Sequence, residues 1–185
     1  MLKVEKLNIS RGNKRLITDL SFSISPGESL LITGQNGSGK STLASVIAND
    51  YRADSGEVLI EGKLGVLLQN IEIDFPITVS EFLDLADESN RNQELIDRLI
   101  SPDLLPKKIT QLSVGQLQRV EIAQVIKQDP DIYLLDEPFS AQDQENSEIL
   151  IEIFKTLKSK GKSIVLINHI KLDLNGLVDQ VLDLS

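Results

Sequence analysis

Residues 34–42 read Gly34-Gln35-Asn36-Gly37-Ser38-Gly39-Lys40-Ser41-Thr42, with the apolar run Ser29–Thr33 before them and a stretch of helical spacing to Asn49 after them. Gly34, four intervening residues and then Gly39-Lys40-Ser41 is the spacing of a loop that wraps a phosphate. Glycine lets successive backbone N–H groups converge on phosphate oxygens without a Cβ in the way. Lys40 offers a point charge to β- and γ-phosphates, and Ser41 offers a hydroxyl to Mg²⁺. The helix that follows turns its positive end on the same anion. Strand, glycine loop and helix in this order set the fold class as α/β, a P-loop architecture with a mostly parallel core sheet and flanking helices.

A second run, Asp131-Ile132-Tyr133-Leu134-Leu135-Asp136-Glu137, ends a buried strand in two acids. Open parallel sheets bind ligands at the carboxyl ends of their strands. Asp136 there suits Mg²⁺ ligation, directly or through water, and Glu137 suits orienting or deprotonating an attacking water. The two runs together predict a nucleoside triphosphate bound with Mg²⁺ and hydrolysed.

Outward from these motifs, Leu2–Ile9 and Leu20–Ser25 alternate as strands, with Pro26-Gly27 turning into Ser29–Thr33. Glu57–Glu61 and Leu64–Leu68 flank Gly62 and read as a hairpin. Thr78 offers an N-cap to a helix carrying Val79, Phe82, Leu83 and Leu85, and Leu95, Ile96, Leu99 and Ile100 mark a second helix ended by Pro102. These form a short helical lobe inserted at about 74–128, between the two motif-bearing strands. Val114–Lys127 and Glu145–Ser159 read as helices, Ser163–Ile167 and Val178–Leu184 as strands. The chain from 1 to 185 is expected to be one domain, since 185 residues bury one core well and two poorly.

Hydrophobic residues at 41% and charged residues at 25% are ordinary for a globular protein, and no run approaches the roughly 20 apolar residues of a membrane span. No cysteine is present, which excludes disulfides and thiolate metal sites. A net charge of −9 argues against nucleic acid as a partner. The lysines from Lys155 to Lys162 are expected to complement a helix dipole and stay solvated. A cytoplasmic protein is the simplest reading.

Leu112-Ser113-Val114-Gly115-Gln116, continued by Leu117-Gln118-Arg119-Val120, resembles the signature of the ABC ATPases. Gln69 resembles that family's Q-loop residue, Ser140-Ala141-Gln142-Asp143 its D-loop and His169 its switch histidine. The resemblance spans nearly the whole chain and implies an N-terminal antiparallel β subdomain beside the core. It further implies ATP as the nucleotide and two nucleotide-binding domains meeting head to tail, as a homodimer or heterodimer. In that arrangement Ser113, Gly115 and Gln116 grip the γ-phosphate of the opposing subunit's ATP, and Asp143 contacts that subunit near its P-loop. Gln69 contacts Mg²⁺ or water, and His169 reaches the γ-phosphate beside Glu137.

Three positions depart from the family pattern. Arg11 stands where an aromatic residue usually stacks on adenine, and its guanidinium can stack on a purine instead. Val114 replaces a signature glycine, and a β-branched residue there requires negative φ. Gln142 stands where leucine is common.

The leading functional expectation is an ATPase subunit of an ABC transporter, peripheral on the cytoplasmic face of the membrane and coupled to separate membrane-spanning permease subunits. The alternatives are a soluble ABC ATPase of an assembly complex, such as one serving iron–sulfur clusters, and a nucleotide-binding regulator.

Overall fold

The computed structural model describes residues 1–68, 76–86, 91–168 and 173–185. The chain opens with two long strands, β1 (Leu2–Arg11) and β2 (Lys14–Ile24), paired antiparallel from Leu2 opposite Ile24 to Arg11 opposite Lys14. β2 thus begins six residues before the expected Leu20, and the polar Lys14-Arg15 end is held by its partner strand rather than by a hydrophobic pattern. The register shifts between Val4 and Leu7, where Lys6 has φ 45°. This bulge moves the buried phase from Leu2 and Val4 to Leu7 and Ile9, so all four face one core.

β3 (Ser29–Thr33) leads through the glycine loop into α1 (Lys40–Ile47). β4 (Ser55–Ile60) returns to pair antiparallel with β1, whereas β5 (Leu64–Leu67) joins the other sheet. The hairpin expected around Gly62 is therefore not formed. Gly62 sits at φ 103°, where a Cβ would come 2.7 Å from the Asp131 carboxylate. Lys63 and Asp131 bond to each other instead, Lys63 N donating to the Asp131 carboxylate and Asp131 N to the Lys63 carbonyl, each at 2.8 Å. The chain crosses between sheets at a point that reads locally like a turn.

Next come α2 (Val79–Asp84), α3 (Gln93–Leu99), single 3-10 turns at Pro102–Leu104 and Ile109–Gln111, and α4 (Val114–Lys127). Thr78 caps α2 as expected, accepting from Glu81 N while the Glu81 carboxylate accepts from Thr78 N. β6 (Ile132–Asp136), α5 (Gln144–Ser159), β7 (Ser163–Ile167) and β8 (Gln180–Asp183) complete the order.

The second sheet runs β5-β6-β7-β3-β8, parallel at every pairing. Its continuous apolar strands are explained by two cores. Tyr133, Leu135, Ile164 and Leu166 face the cluster built with α3, α4 and α5, while Ile132, Leu134, Val165, Ile167, Leu30 and Ile32 face the one built with α1 and β1. On the first side the Phe139 and Phe154 rings meet edge to face at 5.9 Å.

Lys158 stands in the last turn of α5, where it complements the helix dipole as expected, and Lys160 is exposed, but the lysines after Lys155 also serve as tie points. Lys158 pairs with Asp179 at 2.7 Å, Lys160 with Glu94 at 3.2 Å and Lys162 with Asp129 at 2.9 Å. Asp129, though partly buried, is held below the usual carboxylate range by Lys162, Asn92 and Arg91. This cluster fastens the start of α3 to the body of the sheet.

Candidate functional site

The glycine loop lies at the carboxyl end of β3, and Asp136 and Glu137 end β6 at the same sheet edge, with β7 between them. Parallel register fixes the edge, since Asp136 aligns with Ile167 and Glu137 N donates to the Ile167 carbonyl over 2.8 Å.

Within the loop, Gly34 has φ 146°, and a Cβ on it would approach Ser38 Oγ to 2.7 Å. Gly39 takes φ 102° as the N-cap of α1, packed against Leu16 and Ile17 of β2. No side chain caps α1 and its first turn holds no acid, so the N–H groups at its start face the loop's concavity. Lys40 is buried, with Nζ donating to the carbonyls of Gly34 at 2.9 Å and Gln35 at 3.0 Å. Gln35, Asn36 and Gly37 are exposed, while Ser38 Oγ is buried without a hydrogen-bond partner. Ser41 and Thr42 form the first turn of α1 after Lys40.

Asp136 is 2% exposed, and neither carboxylate oxygen has a partner of good geometry. Burial pushes its pKa up and neighbouring Glu137 adds to the rise, while the nearby Ser41 hydroxyl and Lys40 ammonium oppose it. An orphaned buried carboxylate beside a serine hydroxyl and opposite a phosphate loop is an oxygen-donor set that fits a hard cation such as Mg²⁺. Glu137 has φ 54°, a left-handed backbone unusual for a side-chain-bearing residue, and precedes Pro138. Its sequence gave no warning of that turn.

The signature resemblance falls at the start of α4. Ser113 is the N-cap, accepting from Gln116 N at 3.3 Å while Gln116 Oε1 accepts from Ser113 N at 3.0 Å. Val114 is 76% exposed and helical with negative φ, as its branched side chain requires. Gly115 packs so closely on the loop after β6 that a Cβ would lie 2.5 Å from the Ala141 carbonyl oxygen. Among the described residues no hydrogen bond joins Ser113, Gly115 or Gln116 to residues 34–42.

Asp143 caps α5, its carboxylate accepting from Asn146 N at 2.8 Å. Arg11 is exposed at the β1–β2 turn. Its strand partner Lys14 reaches the Gly37 carbonyl at 3.5 Å, so this turn stands beside the glycine loop. Lys14 was not among the expected site residues, because nothing in the linear pattern shows that the turn folds over the loop. Gln69 and His169 lie outside the described residues. The site brought together in one chain is thus residues 34–42, Asp136 and Glu137, with no hydrogen bond among the described residues from Ser113, Gly115 or Gln116 to the glycine loop.

These features define a P-loop nucleoside triphosphatase of the cassette type. The family model described as ABC transporter matches residues 17–140. A zinc import ATP-binding protein of Jannaschia sp. is 32% identical over 176 residues, covering 91% of this chain and 72% of the relative. The zinc transport system ATP-binding protein of Treponema pallidum is 30% identical over 207 residues, covering 100% of this chain and 78% of its own length. A dimeric bacterial ABC transporter cassette superposes with a TM-score of 0.86 at 25% identity, covering 100% of this chain and 95% of the cassette. A dimeric cassette in a post-hydrolysis state with ADP and phosphate superposes at 0.81 with 26% identity, covering 96% and 90%. The chain belongs to the ABC transporter family, as an ATP-binding subunit that hydrolyses ATP. The non-transport assembly role and the regulator role are not favoured by these relatives. Among the described residues no helix is long and apolar enough to cross a membrane.

Proposed function

We propose that ATP is bound between the glycine loop of one nucleotide-binding domain and the start of α4 of another, and that hydrolysis there drives separate membrane-spanning permease subunits. The observation that carries this reading is the position of Ser113–Gln116. Ser113 and Val114 there are exposed, and among the described residues no hydrogen bond joins Ser113, Gly115 or Gln116 to the glycine loop, which supports a phosphate supplied by a second domain. The second domain is another copy or a close relative.

In this reading Lys40 releases the Gly34 and Gln35 carbonyls and turns to the β- and γ-phosphates, with residues 34–42 supplying backbone N–H groups. Ser41, Asp136 and Gln69 hold Mg²⁺, which neutralises charge on the β- and γ-oxygens when bound. Glu137 takes or orients the proton of the attacking water, and His169 reaches the γ-phosphate. Arg11 lies against the base through its guanidinium plane. Asp143, besides capping α5, meets the opposing subunit near its loop. Loss of the bridging phosphate then reopens the pair. The protein acts at the cytoplasmic face of a membrane, and cargo is selected by the permease subunits.

The test is Glu137→Gln, which keeps ATP affinity, loses turnover and accumulates an ATP-bound dimer by light scattering. Turnover at the wild-type rate removes Glu137 from this role.

A further inference from the structure

The turn between β1 and β2 sets two cations face to face beside the glycine loop. Arg11 and Lys14 are directly opposite partners, joined through Gly12 at φ 60° and Asn13. A two-residue turn with glycine first matches the twist of its strands and fixes this register. Side chains opposite one another share a face of the sheet, and like charges so placed repel. Both residues are exposed, and among the described residues neither makes an ion pair. With Arg15 they put three cations within five residues of a chain whose net charge is −9.

This end of the hairpin is held from two sides. Leu16, two residues along β2, packs on Gly39, where a Cβ would lie 3.1 Å from the Leu16 Cβ. Tyr51, after α1, donates its hydroxyl to the Ser10 carbonyl at 2.8 Å. Lys14 is thereby brought to the exposed tip of the loop, where Nζ reaches the Gly37 carbonyl at 3.5 Å. A bond of that length to a neutral oxygen is weak, and among the described residues the ammonium makes no other.

We propose that Lys14 is a further nucleotide-binding residue, whose ammonium leaves the Gly37 carbonyl for the polyphosphate of the nucleotide in the loop. Lys14 then joins Lys40 in the phosphate cradle, and its role rests on that reading of residues 34–42. The bound nucleotide supplies the counter-charge that the facing pair lacks, its base against Arg11 and its phosphates toward Lys14. A contact to phosphate takes no account of the base, so adenine and guanine nucleotides gain from Lys14 alike.

Titration calorimetry with ATPγS and Mg²⁺ at low salt tests this. Lys14→Gln keeps a donor for the Gly37 carbonyl and loses the charge, and is expected to weaken binding about three- to fivefold. Lys14→Arg keeps the charge and is expected to bind within about twofold of the wild type. GTPγS is expected to lose the same factor in Lys14→Gln. At about 0.5 M salt the loss is expected to fall below about twofold, because an exposed cation is screened. Wild-type affinity in Lys14→Gln at low salt reduces Lys14 to a brace for the loop and overturns the inference, as does a loss that salt leaves undiminished or one confined to ATPγS. Lys40→Ala, measured beside it, isolates the cradle reading. Undiminished affinity there sinks both, whereas a loss in Lys40→Ala with none in Lys14→Gln overturns the role of Lys14 alone.

Discussion

The ammonium of Lys40 donates to the carbonyl oxygen of Gly34 over 2.9 Å, folding back on the loop that it ends. A lysine only 6% exposed needs acceptors, and in this conformation the loop carbonyls supply them. Bound phosphate offers better ones, because its oxygens carry the opposite charge and add Coulomb attraction that a neutral carbonyl lacks. Lys40→Ala is therefore expected to weaken ATP binding by about 10- to 100-fold, from about 1.5–3 kcal/mol for a bond to a charged group. Titration calorimetry with a slowly hydrolysed ATP analogue measures this, and wild-type affinity contradicts the phosphate-cradle assignment.

Tyr133 lies wholly buried in β6, and its hydroxyl has no hydrogen-bond partner. Burial pushes its pKa up, with Asp129 and Asp131 adding to the effect, so the phenol stays neutral and its desolvation is uncompensated. Tyr133→Phe removes the orphan while keeping the ring, and is expected to stabilise the fold by about 1 kcal/mol. A urea midpoint at or below that of the wild type, with unchanged slope, refutes it.

Glu121 of α4 has its carboxyl pushed up to about 7 by burial, from an ordinary value of 4.5. Between those values the folded chain keeps a proton that the unfolded chain has released. The stability contributed is thus complete below the unfolded value and is lost as pH rises through about 7. Glu121→Gln mimics the protonated form, so it is expected to match the wild type at pH about 4 and exceed it by about 1 kcal/mol at pH about 8, after allowance for solvent screening. Urea unfolding at both pH values decides, and parallel profiles contradict the shift.

Most of this fold is legible because its strongest signals are local. Leu2 and Val4, then Leu7 and Ile9, alternate on either side of a bulge and mark a strand, Thr78 with Glu81 marks a helix start, and Gly34 to Ser41 marks a phosphate loop. The failures are non-local. The crossing at Gly62 depends on Asp131, far along the chain, and the strand at Lys14 depends on pairing with Arg11. The lysines from Lys158 onward look solvated until folding brings Asp179, Glu94 and Asp129 to them. Within the site, loop composition marks the groups proposed to bind phosphate. Only the folded chain shows that Gln118 holds the carbonyl of Glu137 and that Lys14 stands over Gly37.

The central claim is that a complete ATP site takes its loop from one subunit and its helix start from the other. Lys40→Ala disables the loop, and Val114→Glu places a negative charge at the exposed first residue of α4, where an acid favours the helix but repels phosphate. Each variant alone is expected to be nearly inactive. Mixed in equal amounts they form dimers of which half are hybrids, each with one intact site, so about a quarter of wild-type ATP hydrolysis is expected to return. Activity no greater than the sum of the two separate variants contradicts the shared site.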